Sequence, residues 1–274
     1  MVIAGGLTPL IDDTGLKCYY KFTESDTPFE NHSESDDSLG SDADLVVTDG
    51  SGSGITYNQA GSAVSVTLPG LPARWTPTLP NDGTSGAYAD ASGASSLWNF
   101  LHYGDSGSPA WTILFWYRSS GTSTNTTFVT TSGMSNTGGK RGLVFYWELP
   151  KSFRLYISEG AGDSVIIAEL PTDYDDHDGD WHFFCFRYDY SLGSDNLKVT
   201  RDNDDLEVFD NGSGTPNSGD AYNPLAFGHK GADPQESFIP DANNTTELAI
   251  FDRVLTDAEV TTVWADGDGA PLYS

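Results

Sequence analysis

Basic residues are scarce in this chain. Thirteen Lys and Arg stand against 40 Asp and Glu, a formal charge of −27 over 274 residues. Binding a phosphate backbone means replacing its counterions with Lys and Arg, so nucleic acid is excluded as a partner. An anionic membrane surface is disfavoured for the same reason. Cysteine is also scarce. Cys18 and Cys185 cannot form a disulfide framework, and two free thiols in strands are expected rather than a single bridge. No apolar run approaches the length of a membrane-spanning helix, so no membrane insertion is expected. The stretch from Met1 to Leu7 has no Lys or Arg before its short apolar part and does not read as a secretory signal. The Asn-x-Ser/Thr sequons at Asn31, Asn125, Asn211 and Asn244 are then read as chance matches. Zinc motifs, a P-loop and Gly-x-Ser-x-Gly are missing, and so is a Glu-x-Asp-x-Glu triplet. Glu24-Ser25-Asp26 and Glu34-Ser35-Asp36 are fragments without a third acid.

What is present is aromatic and β-forming. Hydrophobic residues make up 37% of the chain and aromatics 12%, too many for a disordered acidic polymer. Thirty Gly and 14 Pro punctuate short alternating runs. Leu16, Cys18, Tyr20 and Phe22 share one face of a first strand, and Val64, Val66 and Leu68 share a face of another. Residues 111–117 are apolar on both faces, as for a strand buried between two layers. Further strands are predicted at 45–48, 127–131, 142–147, 153–157, 165–170, 181–188, 196–200, 206–209 and 246–251. Their number and spacing predict an all-β, antiparallel two-sheet sandwich. One helix is predicted, at 256–264, with Thr256 and Glu259 as its capping box. Residues 70–108 read as an elaborated loop across one end. The acids concentrate in loops, which fits a solvated surface suited to a salt-rich, halophilic or marine medium. A melting temperature indifferent to salt would count against that expectation.

Five segments together resemble a laminin-G-like, concanavalin-A-like lectin jelly roll. They are Gly15–Phe22, Trp111–Arg118, Asp178-Gly179-Asp180-Trp181-His182, Asn223–Gly228 and Glu247–Val260, in the family's order. The resemblance implies a jelly roll over residues 14–274, preceded by an arm of residues 1–13. His182 beside acids invites a catalytic reading, but its motif position implies a strand residue at a turn. The family's calcium position implies Glu24 and Glu247. Thr23 and Glu247 stand where the family has Asp, which weakens that site. The acid run around Asp175 and Asp178 is the other calcium candidate.

Sugar recognition needs aromatic faces beside amides and carboxylates. Trp75, Tyr88, Trp98, Tyr103 and Tyr222 lie in loop-rich segments and are the glycan-binding candidates, while Trp116, Trp147 and Trp181 are assigned to the core. Val2, Ile3, Leu7, Leu10 and Ile11 make the arm apolar enough to dock, either on its own domain or on another subunit. The expectation is a non-catalytic decoration or adhesion protein of a phage or archaeal virion. It would be displayed at the particle surface as a homo-oligomer, bound to other virion subunits through its arm, with a host-surface or environmental glycan as ligand. The competing expectations are a polysaccharide-degrading hydrolase or lyase, and a jelly roll with no sugar ligand.

Overall fold

The computed structural model describes residues 8–22, 29–49, 64–66, 68–71, 74–76, 87–103, 107–119, 126–132, 141–148, 152–158, 165–169, 178–193, 195–206, 209–210, 218–227 and 243–273. The strands, in chain order, are β1 (Leu16–Tyr20), β2 (Leu45–Asp49), β3 (Val64–Val66), β4 (Arg74–Thr76), β5 (Ala87–Ala91), β6 (Ala110–Ser119), β7 (Thr126–Thr130) and β8 (Leu143–Glu148). They continue with β9 (Ser152–Ser158), β10 (Val165–Glu169), β11 (Trp181–Asp189), β12 (Leu197–Arg201), β13 (Asp204–Leu206), β14 (Phe209–Asp210), β15 (Ala226–Phe227) and β16 (Asn243–Phe251). One α-helix, α1 (Asp257–Trp264), follows the last strand.

The architecture is all-β, with antiparallel pairing. One sheet has the order β1-β16-β6-β11-β12-β13 and the other β14-β10-β9-β8-β7-β15-β5-β2, while β3 and β4 form a separate hairpin. Large side chains alternate along the central strands. On β6, Ile113, Phe115 and Tyr117 face the second sheet, with Phe184 and Phe186 of β11 beside them. Phe145 of β8 meets Phe186 edge-on, with ring centroids 4.4 Å apart, so the two sheets interlock through aromatics. Leu114 and Trp116 point to the opposite side and join Phe183, Cys185, Leu16, Tyr19 and Phe251 in a second core. Thus 111–117 is buried on both faces, as its sequence predicts.

The second core is closed by the chain's own ends. Val260 and Val263 of α1, Leu68, Leu71, Leu272 and Tyr273 cover it, and Ile11 packs at its margin. Gly70 lies so close to the Gly269 backbone that a Cβ would sit 1.9 Å from the Gly269 carbonyl. The predicted capping box is present in full: Thr256 accepts from the Glu259 amide and Glu259 reaches back to the Thr256 amide. The N-terminal segment lies beside the C-terminal tail. Leu10 N donates to Leu272 O at 2.8 Å, and Tyr273 Oη donates to Asp13 at 2.9 Å.

The stretch 70–108 is not the continuous loop its sequence suggests. It supplies β4, the sheet strand β5 and a 3₁₀ helix at Ser95–Leu101. In β5 the core-facing residues are Ala89 and Ala91, too small to give a strand signal, yet they fit where β2 and β15 close on either side. The acidic loop before β2 is also more than a solvated coil. Asp37 accepts from Gly15 N and Asp44 from Asn31 N, both at 2.8 Å, and Asn31 caps Tyr19 N through its side-chain oxygen.

Candidate functional site

The described candidate groups gather at one end of the eight-stranded sheet. There β5 and β7 leave the sheet and β8 and β15 enter it, so residues 92–103, 131–132, 141–142 and 218–225 approach one another. The 3₁₀ helix Ser95–Leu101 buries Trp98 and Leu101, three residues apart and one turn of such a helix. That leaves Asn99 facing the neighbouring loop. Its Nδ2 donates to Asp220 Oδ1 at 2.9 Å, and its Oδ1 accepts from Ala221 N at 2.8 Å. One amide therefore fixes both the Asp220 carboxylate and the chain carrying it. Tyr103 N donates to Asn99 O, and Tyr222 N donates to Arg141 O, each at 2.8 Å.

His102 anchors this end from below. It is fully buried, and its Nε2 lies 2.9 Å from Gly219 O. A carbonyl partner requires Nε2–H, which leaves Nδ1 as a bare acceptor without a partner. Burial lowers the His102 pKa, and the Arg141 charge pushes the same way, so the ring is neutral. Arg141 lies against Gly219, where a Cβ would fall 1.6 Å from Nη1. Tyr222 is 48% exposed, while Tyr103 is half-buried against Gly107.

The adjoining sheet face continues the site. Asp90 on β5 pairs with Val46 on β2 and Ala226 on β15, and the same row runs on through Thr130, Val144 and Tyr156. Burial pushes the Asp90 carboxyl up to about 6. Together these groups offer fixed acceptors, a guanidinium donor and an exposed aromatic ring. A hydroxylated ligand needs that mixture.

Of the aromatic candidates, Tyr103 and Tyr222 reach this end. Trp98 does too, but it has no exposed surface and packs in the inner core, so it cannot stack on a sugar. Its place in a loop-rich segment concealed the short helix that buries it. Trp75 lies on β4 and Tyr88 on β5, and their side chains are outside the described residues. Glu24 and Asp175 are also outside them. Glu247, another of the calcium candidates, lies in the interior. It sits at a bulge in β16 with φ +54°, fully buried, and its carboxyl accepts the Tyr19 hydroxyl. Burial raises its pKa well above the usual carboxylate range. Asp178 is turned to His182, 3.1 Å from Nε2. Among the described residues no group of three or more His, Cys, Asp or Glu is placed to hold a metal.

His182 itself is clamped. Its Nδ1 lies 2.6 Å from Asp202 Oδ2, opposite the contact with Asp178. Burial opposes its charge, but the Asp202 hydrogen bond and carboxylate charge outweigh it and raise its pKa. Two carboxylates and a strand position make it a pin for the β11–β12 corner. Cys18 and Cys185 are buried free thiols, each pushed up to about 12 by burial. In the arm, Leu10 is 40% exposed and Ile11 half-buried, while Val2, Ile3 and Leu7 lie outside the described residues. Asp90, Asn99, His102, Arg141 and Asp220 escaped the sequence reading. The basic pair in Gly138-Gly139-Lys140-Arg141-Gly142 is the one signal that could have drawn attention to this end.

No protein-family model matches the chain, and no curated protein matches it. Solved structures do. A botulinum neurotoxin serotype C1 binding domain is similar at 12% identity and TM-score 0.53, over 90% of this chain and 50% of that one. The binding domain of botulinum neurotoxin DC in complex with SialylT is similar at 13% identity and TM-score 0.53, over 92% of this chain and 51% of that one. Trypanosoma rangeli sialidase in complex with the inhibitor DANA is similar at 14% identity and TM-score 0.51, over 98% of this chain and 36% of that one. The chain thus spans about half the length of the toxin domains and about a third of the sialidase. These likenesses show the β-sandwich fold.

Proposed function

We propose that the protein is a non-catalytic carbohydrate-binding module whose sugar site is the end of the eight-stranded sheet around Tyr222. One observation carries the reading. A single amide, Asn99, holds the Asp220 carboxylate in a loop that also presents an exposed tyrosine and abuts a guanidinium. Preset polar groups beside an aromatic face lower the ordering cost of capturing hydroxyls. The toxin domain in complex with SialylT shares the fold and makes such a role compatible with it. Isothermal titration against a panel of oligosaccharides tests the proposal. Binding in the micromolar to millimolar range, lost in Tyr222→Ala with Asp220→Ala, supports it. Silence across the panel overturns it.

The proposal extends to display on a virion, with the arm docked on neighbouring subunits. Leu10, exposed beside the tail, and the apolar Val2, Ile3 and Leu7 before it motivate this part. Particles that lack the protein, or an isolated monomer as its sole state, would overturn it. A polysaccharide hydrolase is the second reading. Asp90 favours it, because a carboxyl at about 6 suits a general acid. It requires turnover that Asp90→Asn abolishes.

A further inference from the structure

Forty acids outnumber 13 bases in this chain, so a cation has many carboxylates to meet. Lys17 pairs with Asp252 at 2.7 Å, Arg187 with Asp257 at 2.5 Å, Lys198 with Asp205 at 3.0 Å and Arg253 with Glu259 at 2.6 Å. Arg201 lies 3.8 Å from Asp202, and Arg118 donates to Gly179 O at 2.5 Å. Arg141 differs. Among the described residues its guanidinium has no hydrogen bond or ion pair, and its Nε is buried without a partner. The side chain is nevertheless packed against the facing chain. It is half-buried, it fills the space that Gly219 leaves, and its carbonyl secures Tyr222.

A partly desolvated cation without a counter-charge is a cost that an arriving anion removes. The planar guanidinium suits a carboxylate or sulfate, which it can grip through two parallel N–H donors. We propose that Arg141 receives the anionic group of an acidic sugar, a carboxylate or sulfate carried on the glycan, while the sugar ring packs on Tyr222. This inference rests on the glycan reading of the same site. Asp220 and Asn99 then take the sugar's hydroxyls. The protein's overall charge repels such a ligand at long range, so recognition depends on short-range contact. Going from 10 to 150 mM salt shortens the Debye length from about 30 to about 8 Å. Affinity for the acidic sugar accordingly holds or rises with salt, the reverse of a basic patch.

Titration calorimetry with matched oligosaccharides tests this: one neutral, the other the same chain bearing a uronate or sulfate. The native protein should bind the acidic member about tenfold tighter or more. Arg141→Gln should bind both at the neutral sugar's affinity, Arg141→Lys should keep part of the preference, and Tyr222→Ala should weaken both. Equal binding of the pair by the native protein, or a preference that survives in Arg141→Gln, overturns the anion assignment and leaves the glycan reading standing. Binding of neither member removes the glycan reading and this inference with it. Acetate or sulfate alone, binding as tightly as the acidic sugar, would overturn the sugar-borne form.

Discussion

The outer faces of the two sheets are built to opposite ends. On the six-stranded sheet, Trp116, Phe183 and Phe251 are sealed under α1, the tail and residues 68–71. On the eight-stranded sheet, Val46 is 48% exposed and Asp90 and Tyr156 are half-buried, while Ala226, Thr130 and Val144 between them are buried. Each face holds a carboxyl raised by burial, Glu247 on the six-stranded sheet and Asp90 on the eight-stranded one. The comparison separates two meanings of a perturbed acid. Glu247 is locked to Tyr19, whose hydroxyl also accepts from Leu272 N, so it fastens the tail. Asp90 is only half-buried and has no such lock among the described residues. A raised pKa becomes functional evidence only when the group can be reached.

The hardest test of the contrast concerns the sealed face. Trp116 and Phe115 are sequence neighbours on opposite faces of β6, and both are buried. If the terminal cover is a true core, Trp116→Ala and Phe115→Ala should each cost about 3–5 kcal/mol in denaturant unfolding. A Trp116→Ala loss near 1 kcal/mol would show the cover to be loose.

Both acids should make stability fall as pH rises. Asp90 has a folded pKa of about 6 against an ordinary 3.8, so the folded state binds the extra proton between these values. The stability contributed by Asp90 is therefore fully present below about pH 4 and is lost as pH rises through 6. Asp90→Asn should remove that slope and stabilise the protein at pH 7 by about 1–2 kcal/mol, allowing for partial solvent screening. Glu247→Gln should likewise stabilise the protein at pH 7, because the folded state keeps a proton that the unfolded carboxyl releases above about pH 4.5. Melting curves from pH 4 to 7 decide both. Thr256→Ala, which uncaps the helix over the sealed face, should cost about 1 kcal/mol in the same assay.

The sealed face was largely legible in the sequence, and the open one was not. Two-faced apolarity in 111–117 and the Thr256–Glu259 box are local patterns, and each predicts its own structure. The cover itself joins residues 11, 68–71, 260–263 and 272–273, which no local period connects. The open end fared worse because its parts are chemically ordinary alone. Asn99 becomes informative only through Asp220 and Ala221, more than 100 positions away, and Arg141 only through the lack of an ion pair among the described residues. Ala89 and Ala91 hid a strand because close sheet packing, rather than β propensity, selected them.

The smallest expected effect on stability lies at the open end, where it is most diagnostic. Tyr222 is an exposed ring, so Tyr222→Ala should shift unfolding by no more than about 0.5 kcal/mol. Gly219→Ala should likewise be mild. Its Cβ collides with the far end of the Arg141 side chain rather than with backbone, and the guanidinium can swing away. Yet both should weaken sugar binding, Tyr222→Ala by removing the ring and Gly219→Ala by displacing the donor. Calorimetric affinities set beside melting temperatures for the two variants check this. Lost stability with unchanged affinity would make the open end a second sealed face and erase the contrast. Lost affinity at constant stability would locate recognition at this end of the eight-stranded sheet.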